Sequence, residues 1–342
     1  MLRSFSTLDQ LVEALETRKH IVVVVGAGIS VNCGIPDFRS ADGVYKMAED
    51  LDLGLTSPDE LFDLEAFRRN PQPFYKFAPA LYPGAHTPSA THRFLKLLQD
   101  RRVLQRVYTQ NIDGLEEKAG IDRYVACHGS FASASCLACA RRFSPDDIRG
   151  SVMAREVPRC PSLCGGLIKP NITFFGEKLG CSVSSSLETD RKKADLLLVI
   201  GTSLQVAPVS KILSFMPRGI PQILINRELV APPSNVSNGF DVNLLGDCDV
   251  VVKHLGRNTY KFAGHATPGA SAGHHHHGSG HHHGGGAAAS ADYGGAAEAA
   301  ADSAGETTVE KVLCDGCDRE IADGTPVHSC TDCFDYDLCK AC

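Results

Sequence analysis

His128 ends a short apolar stretch, Tyr124-Val125-Ala126-Cys127, and is followed by Gly129. A neutral imidazole with a pKa of about 6.5 can accept a proton at physiological pH. A lone histidine is commonly structural, but a glycine beside this one leaves room for a ligand on its face, which favours a catalytic role. Gln110-Asn111-Ile112-Asp113 lies fifteen residues upstream and adds an amide and a carboxylate. Three further polar turns, Gly26-Ala27-Gly28, Gly201-Thr202-Ser203 and Asn226-Arg227-Glu228, each follow a run of branched apolar residues. Glycines in such a turn let backbone N–H groups approach a pyrophosphate, and amide and carboxylate groups suit ribose hydroxyls. Three such turns in one crevice point to a bound dinucleotide. Cys136-x2-Cys139 and Cys160-x3-Cys164 stand with twenty residues between them, a spacing that closes a tetrahedral structural zinc site with no open position. Two redox dithiols would each need a strand-to-helix placement that neither pair has.

These groups need elements to hold them. Strands are expected at Ile21 to Val25, Val103 to Thr109, Asp195 to Ile200, Pro221 to Asn226 and Asp249 to Val252. Helical patterns alternate with them: Leu8 to Thr17, and Ser89 to Arg101, where Ser89 can cap the first turn and Phe94, Leu97 and Leu98 share a face. The expected architecture is an α/β, Rossmann-like, mainly parallel sheet whose ligands bind beyond the carboxyl ends of the strands. A small zinc-binding module, about 130–170, is inserted in a domain spanning 1–262.

The whole chain has 342 residues, 43% of them apolar, enough for two packed units and a linker. Its formal charge of −6 and the lack of a long basic block argue against direct nucleic-acid binding. No apolar run reaches the roughly 18 residues of a membrane span, so no membrane partner is expected. Met1 to Ser6 has some transit-peptide character, but Asp9, Glu13 and Glu16 follow at once. A soluble, intracellular chain is expected. Of 14 cysteines, ten sit in metal-type pairs; Cys33, Cys127, Cys181 and Cys248 read as small buried or partly buried thiols. Residues 263–308 are Gly, Ala, Ser and His, a composition that cannot fill a core and reads as a flexible linker. Its seven clustered histidines can bind metal adventitiously, and the mid-chain, interrupted run argues against a purification tag.

Taken in order, Gly26-Ala27-Gly28-Ile29-Ser30, Gly34-Ile35-Pro36-Asp37-Phe38-Arg39-Ser40, Tyr108-Thr109-Gln110-Asn111-Ile112-Asp113, His128-Gly129, the four cysteines, Phe174-Phe175-Gly176-Glu177, Gly201-Thr202-Ser203-Leu204 and Ile225-Asn226-Arg227-Glu228 resemble the sirtuins, NAD-dependent protein deacylases. The likeness covers about residues 5–256 and is strongest to a eukaryotic branch of mainly cytoplasmic tubulin and histone deacetylases. It implies that Gly26, Ala27 and Gly28 hold the NAD pyrophosphate, with Phe38 shielding the reactive ribose carbon and Arg39 contacting the phosphates. Ile35 and Asp37 would lie close by, while Asn111 and Asp113 would line the nicotinamide pocket and Ile112 between them would also contact NAD. Gln110 and His128 would flank the ribose. Ser203, Asn226 and Glu228 would hold the adenosine half, with Cys248 near adenine, and Gly201, Thr202 and Arg227 in the same turns would also contact NAD.

The chemistry so implied is transfer of the acetyl group of acetyl-lysine to a ribose hydroxyl with release of nicotinamide, His128 acting as general base and Asn111 assisting. The peptide would add as a strand between Phe175-Gly176-Glu177 and the loop containing Val206. Thr173 stands where relatives carry an apolar valine, and Asn171 where they often carry aspartate. No arginine lies between Arg39 and Arg68, which favours acetyl or apolar acyl groups over acidic ones. Acetylated proteins, histones or tubulin-like targets among them, are the expected partners, in the cytoplasm and/or nucleus. Two other readings share these residues: mono-ADP-ribosyl transfer, and a non-catalytic adaptor that binds NAD or acyl-lysine.

Residues 309–342 resemble a ZZ-type zinc finger. Cys314, Cys317, Cys339 and Cys342 would share one zinc; Cys330 and Cys333 normally gain two histidines further downstream, so this finger reads as truncated or incomplete. About 30 residues cannot bury an adequate core, so Zn2+ would supply the folding free energy. The tail is either a module that captures a peptide or protein tail or a structural stub.

Overall fold

The computed structural model describes residues 8–38, 40, 42–84, 86–178, 180–207, 209–217, 219–230, 239–259, 328–329 and 337–338. Helix α1 (Leu8–Thr17) precedes β1 (Ile21–Val25). Helices α2 (Val44–Asp50), α3 (Leu64–Arg69), α4 (Gln72–Leu81) and α5 (Ala90–Asp100) lead to β2 (Leu104–Thr109), α6 (Leu115–Lys118) and β3 (Tyr124–Ala126). Next come β4 (Gly129–Cys136), β5 (Arg142–Phe143), α7 (Pro145–Met153) and β6 (Ile168–Ile172). The chain then forms α8 (Cys181–Asp190), β7 (Leu196–Ile200), α9 (Ile212–Phe215), β8 (Gln222–Asn226), β9 (Val242–Leu245) and α10 (Cys248–Thr259). In the tail, β10 (His328–Ser329) pairs antiparallel with β11 (Asp337–Leu338).

Six strands form a parallel sheet in the order β3-β2-β1-β7-β8-β9. The run Ile21-Val22-Val23-Val24-Val25 is buried throughout because both faces of β1 are covered. Ile21, Val23 and Val25 pack with Phe94, Leu98 and Leu255 on one face, whereas Val22 and Val24 pack with Leu187 and Ile212 on the other. Successive connections leave β1 in opposite directions, so the switch point lies between the carboxyl ends of β1 and β7. Behind the sheet, Asp190 is fully buried and accepts from Arg106 Nε (2.6 Å), Tyr108 Oη (2.6 Å) and Gln105 Nε2 (2.7 Å), tying α8 to β2.

A second sheet, β5-β4-β6, is antiparallel and carries the cysteines. Its core is shared with the helical stretch before α5: Phe62, Phe67, Phe74 and Tyr75 pack with Phe131, Ile148 and Phe174. Phe174 stands edge-on to Phe67, centroids 5.4 Å apart, and to Phe62 at 6.0 Å.

Helix α5 begins where the sequence places its cap. Ser89 Oγ accepts from the His92 amide, and the His92 ring returns to the Ser89 amide in a capping box. One expected strand is a helix instead: Asp249 to Val252 opens α10. Asp247 Oδ1 accepts from the amides of Asp249 (3.0 Å) and Val250 (3.3 Å), which caps a helix, and Val252 and Leu255 then share its buried face while Val250 is exposed. A β-branched run is thus overridden by its cap and by packing against α5 and α1. The last strand of the sheet is β9, which lacks an apolar run and is half exposed. The expected linker at 263–308 lies outside the described residues, as does the tail apart from β10 and β11.

Candidate functional site

A cleft of about 650 Å³ opens beyond the carboxyl ends of the sheet strands. It is lined by Gly26, Ala27 and Gly28 after β1, Gln110, Asn111 and Ile112 after β2, and His128 after β3. Gly201, Thr202 and Ser203 after β7, Asn226, Arg227 and Glu228 after β8, and Cys248 at the start of α10 complete the sheet side. Asp37 and Phe38 line it from the loop after β1, and Thr173, Phe175, Gly176, Glu177 and Val206 stand at its outer end. Of the described residues that the resemblance places around NAD or the peptide, Ile35 and Asp113 stand outside this wall. Arg39 lies outside the described residues, as do Cys314, Cys317, Cys330, Cys333, Cys339 and Cys342.

The glycine turn does more than clear space for a ligand. A Cβ on Gly26 would lie 2.7 Å from Thr202 Cβ, and one on Gly28 would lie 2.8 Å from Gly201 Cα. The Gly26 and Gly28 amides donate to the carbonyls of Ile200 (3.2 Å) and Gly201 (2.8 Å). The two loops are therefore packed backbone against backbone, and the glycines are dictated by that approach. Gly201 itself has φ +61°.

Ser30 is the residue that sequence reasoning left without a role, although it sits in the quoted turn. Its hydroxyl donates to Asp113 Oδ2 at 2.7 Å and accepts from Asn111 Nδ2 at 3.2 Å; Asn111 Nδ2 also lies 3.2 Å from Gly26 O. Asp113 thus acts behind the wall, fixing Asn111 through Ser30 while accepting from the Leu115 amide at 2.9 Å. Gln110 Nε2 donates to Thr202 Oγ1 at 2.8 Å, joining the β2 and β7 loops.

His128 Nδ1 lies 3.0 Å from the carbonyl oxygen of Gln110. A carbonyl only accepts, so the neutral ring carries its hydrogen on Nδ1 and keeps Nε2 as its basic nitrogen. Burial pushes the His128 pKa below its ordinary value, partly opposed by that hydrogen bond, so the ring is neutral near pH 7. Gly129 proves to be needed for a different reason from the one expected. Its φ is +65°, and a Cβ there would lie 1.9 Å from Asn171 O, so β6 and not a ligand occupies that side.

Deeper still, His92, Asp113 and Glu116 bring a ligand-type atom each within 4.8 Å of one another. Burial, with Asp113 nearby, raises Glu116 to about 7, and burial lowers His92 to about 4. His92 Nδ1 receives the Ser89 amide at 3.3 Å, which leaves the neutral ring's hydrogen on Nε2. Neither ring nitrogen then offers a free lone pair, and among the described residues His92 Nε2 and Glu116 Oε1 are buried with no hydrogen-bond partner.

At the mouth, Phe38 stands edge-on to Phe62 (5.8 Å between centroids) and to Tyr45 (6.0 Å), two cleft residues that carried no sequence signal because aromatics of this spacing read as core. Asp37 Oδ1 accepts from the Ser40 amide at 2.8 Å and shapes the loop on either side of residue 39. At the opposite end, Asp247 accepts from Asn32 Nδ2 (3.0 Å) and Arg227 (3.1 Å), and the Cys248 thiol is pushed up to about 11 by burial. That thiol is protonated and unreactive at neutral pH.

The four cysteines of the second sheet converge. Cys136 Sγ lies 3.7 Å from Cys164 Sγ, and Cys139 Sγ 3.8 Å from Cys160 Sγ, with all four within 4.8 Å. A tetrahedral site with metal–sulfur bonds of about 2.3 Å has sulfur–sulfur edges of about 3.8 Å, so the set fits zinc. The Ala138 amide points at Cys136 Sγ (3.4 Å), and a Cβ on Gly166 would fall 2.7 Å from that sulfur, so the knuckle closes tightly around the thiolates.

The Sir2 family model matches residues 26–208. The NAD-dependent protein deacetylase sir-2.1 of Caenorhabditis elegans is 46% identical over 254 residues, covering 74% of this chain and 41% of that protein. The NAD-dependent histone deacetylase sirtuin-1 of Drosophila melanogaster is 42% identical over 278 residues, covering 74% and 33%. The NAD-dependent protein deacetylase sirtuin-3 of Mus musculus is 45% identical over 246 residues, covering 70% and 72%. The chain thus spans less than half the length of the first two.

Proposed function

The chain belongs to the Sir2 family, and from that premise we propose that it is an NAD-dependent protein lysine deacetylase. The observation that carries the reading is His128, fixed by Gln110 O with Nε2 as its base, in one cleft with Asn111 and the three polar turns. When bound, NAD supplies a ribose carbon that exchanges nicotinamide for the acyl oxygen of acetyl-lysine, and a ribose hydroxyl that finally carries the acyl group.

The residues then divide the work. Gly26, Ala27 and Gly28 with Thr202 and Ser203 lie along the phosphates and adenosine, where Asn226 and Glu228 meet the ribose and Cys248 the adenine. Gln110 and Asn111 orient the nicotinamide end, with Ile112 against its ring and Asp113 holding Asn111 in place through Ser30. His128 Nε2 takes the proton of the ribose hydroxyl. Phe38, backed by Phe62 and Tyr45, keeps water from the reacting carbon. Arg39 remains our assignment for the phosphates on the strength of the resemblance. An acetyl-lysine peptide lies between Phe175-Gly176-Glu177 and Val206, its side chain passing Thr173.

Cys136, Cys139, Cys160 and Cys164 hold one structural Zn2+, and the inserted module extends over about 130–170. We further propose a second zinc at Cys314, Cys317, Cys339 and Cys342, with Cys330 and Cys333 beside it, in a tail that tethers the enzyme to a peptide or protein partner through a flexible linker. Cytoplasm and nucleus are the proposed compartments. Among the described residues no helix is long and apolar enough to cross a membrane.

The test is nicotinamide release by the purified full chain, with NAD and either an acetyl-lysine peptide or its unacetylated twin. Release that depends on the acetyl group and disappears in His128→Ala supports the reading. Release at the same rate with both peptides overturns it in favour of NAD hydrolysis or ADP-ribosyl transfer.

A further inference from the structure

Lys169 is a charged residue on β6 with only 4% exposure, and it does not line the cleft. An ammonium so buried is costly unless each of its hydrogens finds a partner. Here three acceptors surround it: Glu177 Oε2 at 2.6 Å, Ile172 O at 2.6 Å and Pro170 O at 3.3 Å. The nitrogen also stands 4.1 Å from the centre of the Phe174 ring.

What the ammonium gathers is the outer rim of the cleft. Glu177 Oε2 accepts from the Phe174 amide at 2.7 Å as well as from Lys169, and the Glu177 amide returns to Phe174 O at 2.9 Å. Gly176 takes φ +86°, so the chain reverses within this small loop. Next to it, Phe175 pairs with the chain before α3: its amide donates to Phe62 O (2.7 Å) and its carbonyl accepts from Leu64 N (3.1 Å). Lys169 thus ties together Pro170, Ile172, Phe174 and Glu177, and the last three line the cleft although Lys169 itself does not.

We propose that Lys169 is a positioning residue for the acyl-peptide side of the cleft: through Glu177 and Ile172 it sets the shape of the loop Thr173–Glu177 against which the peptide lies. It touches neither substrate. The inference rests on the deacetylase reading and adds a residue that motif spacing did not single out. Burial lowers the Lys169 pKa and Glu177 opposes that shift, consistent with a pair in which each charge requires the other.

The consequence is a split between the two substrates, because the NAD-facing turns after β1, β7 and β8 make none of these contacts. In the full chain, Lys169→Met is expected to raise KM for an acetyl-lysine peptide about tenfold or more, the scale of a loop misplaced by an ångström or less, with KM for NAD within about twofold of wild type. Glu177→Gln should shift the peptide KM in the same direction, and Lys169→Arg, which keeps the charge, should recover most of the affinity. Equal loss of both KM values, with no recovery by arginine, would reduce Lys169 to general stability and overturn the proposal. So would an unchanged peptide KM in both Lys169→Met and Glu177→Gln. If wild type leaves the acetyl peptide untouched in the same assay, the deacetylase reading has failed and this proposal falls with it; an active wild type with unmoved variants overturns the proposal alone.

Discussion

Gly129→Ala should unfold the approach to His128, and the size of the effect can be worked from the backbone. The new Cβ would start 1.9 Å from Asn171 O, so β4 and β6 must separate by about 1.5 Å before ordinary contact begins at 3.4 Å. That movement breaks the Thr173 N–His128 O hydrogen bond of 2.8 Å, worth about 1 kcal/mol. Holding alanine at φ +65° adds about 1–2 kcal/mol. With strain from the clash itself, a loss of about 3–4 kcal/mol follows, which lowers the melting temperature by roughly 6–16 °C in a domain of this size. Gly54→Ala is the control: its φ is +69° but nothing lies within 4 Å of the added carbon, so only the conformational cost of about 1–2 kcal/mol applies. Differential scanning fluorimetry on the two variants gives the comparison, with deacetylation rates measured on the fraction still folded. If Gly129→Ala melts within about 2 °C of Gly54→Ala, the reasoning that β6 dictates this glycine is wrong.

Three other outcomes follow from the geometry. Since burial depresses the His128 pKa, the base stays neutral to lower pH than a free histidine, and the acid limb of kcat/KM should have its midpoint below about 6.5; a midpoint above 7 would contradict it. The same depression means that the folded state binds fewer protons than the unfolded one, so the stability tied to His128 is present above the unfolded value and is lost as pH falls below it. Asp190→Asn leaves Arg106 without its carboxylate behind the sheet and should cost about 3–5 kcal/mol in urea denaturation while both KM values hold; a neutral effect would show the network to be dispensable. Cys160→Ser should lower the bound zinc by one equivalent per chain by plasma emission spectroscopy and destabilise the β4–β6 sheet, whereas unchanged zinc content would remove the four-cysteine site.

The sheet was readable because parallel strands buried on both faces appear as unbroken branched apolar runs, as in β1, β7 and β8; β2 is interrupted by Gln105 and Arg106, and all four lie within a residue of their expected limits. The polar turns were legible for the same reason: each begins where such a run stops. Asp249 to Val252 misled because three consecutive valines carry a strand signal, whereas the decisive facts, the Asp247 cap and the partners of Val252 and Leu255, are set by tertiary contact. Gly129 and the paired glycines Gly26, Gly28 and Gly201 show a related limit. Their presence was visible, but what crowds them is a neighbouring chain segment far away in sequence, so a ligand received credit that belongs in part to the backbone. Ser30, Phe62 and Tyr45 were invisible as site residues because serine in a turn and aromatics in a helical region have ordinary explanations.

Acetyl transfer from lysine to the ribose of NAD is most directly tested by mass spectrometry of the products. The purified chain, NAD and a peptide bearing a labelled acetyl group should yield deacetylated peptide, nicotinamide and an ADP-ribose that carries the label, and His128→Ala should yield none of the three. Nicotinamide appearing while the label stays on the peptide, or ADP-ribose appearing on protein instead, would contradict the account.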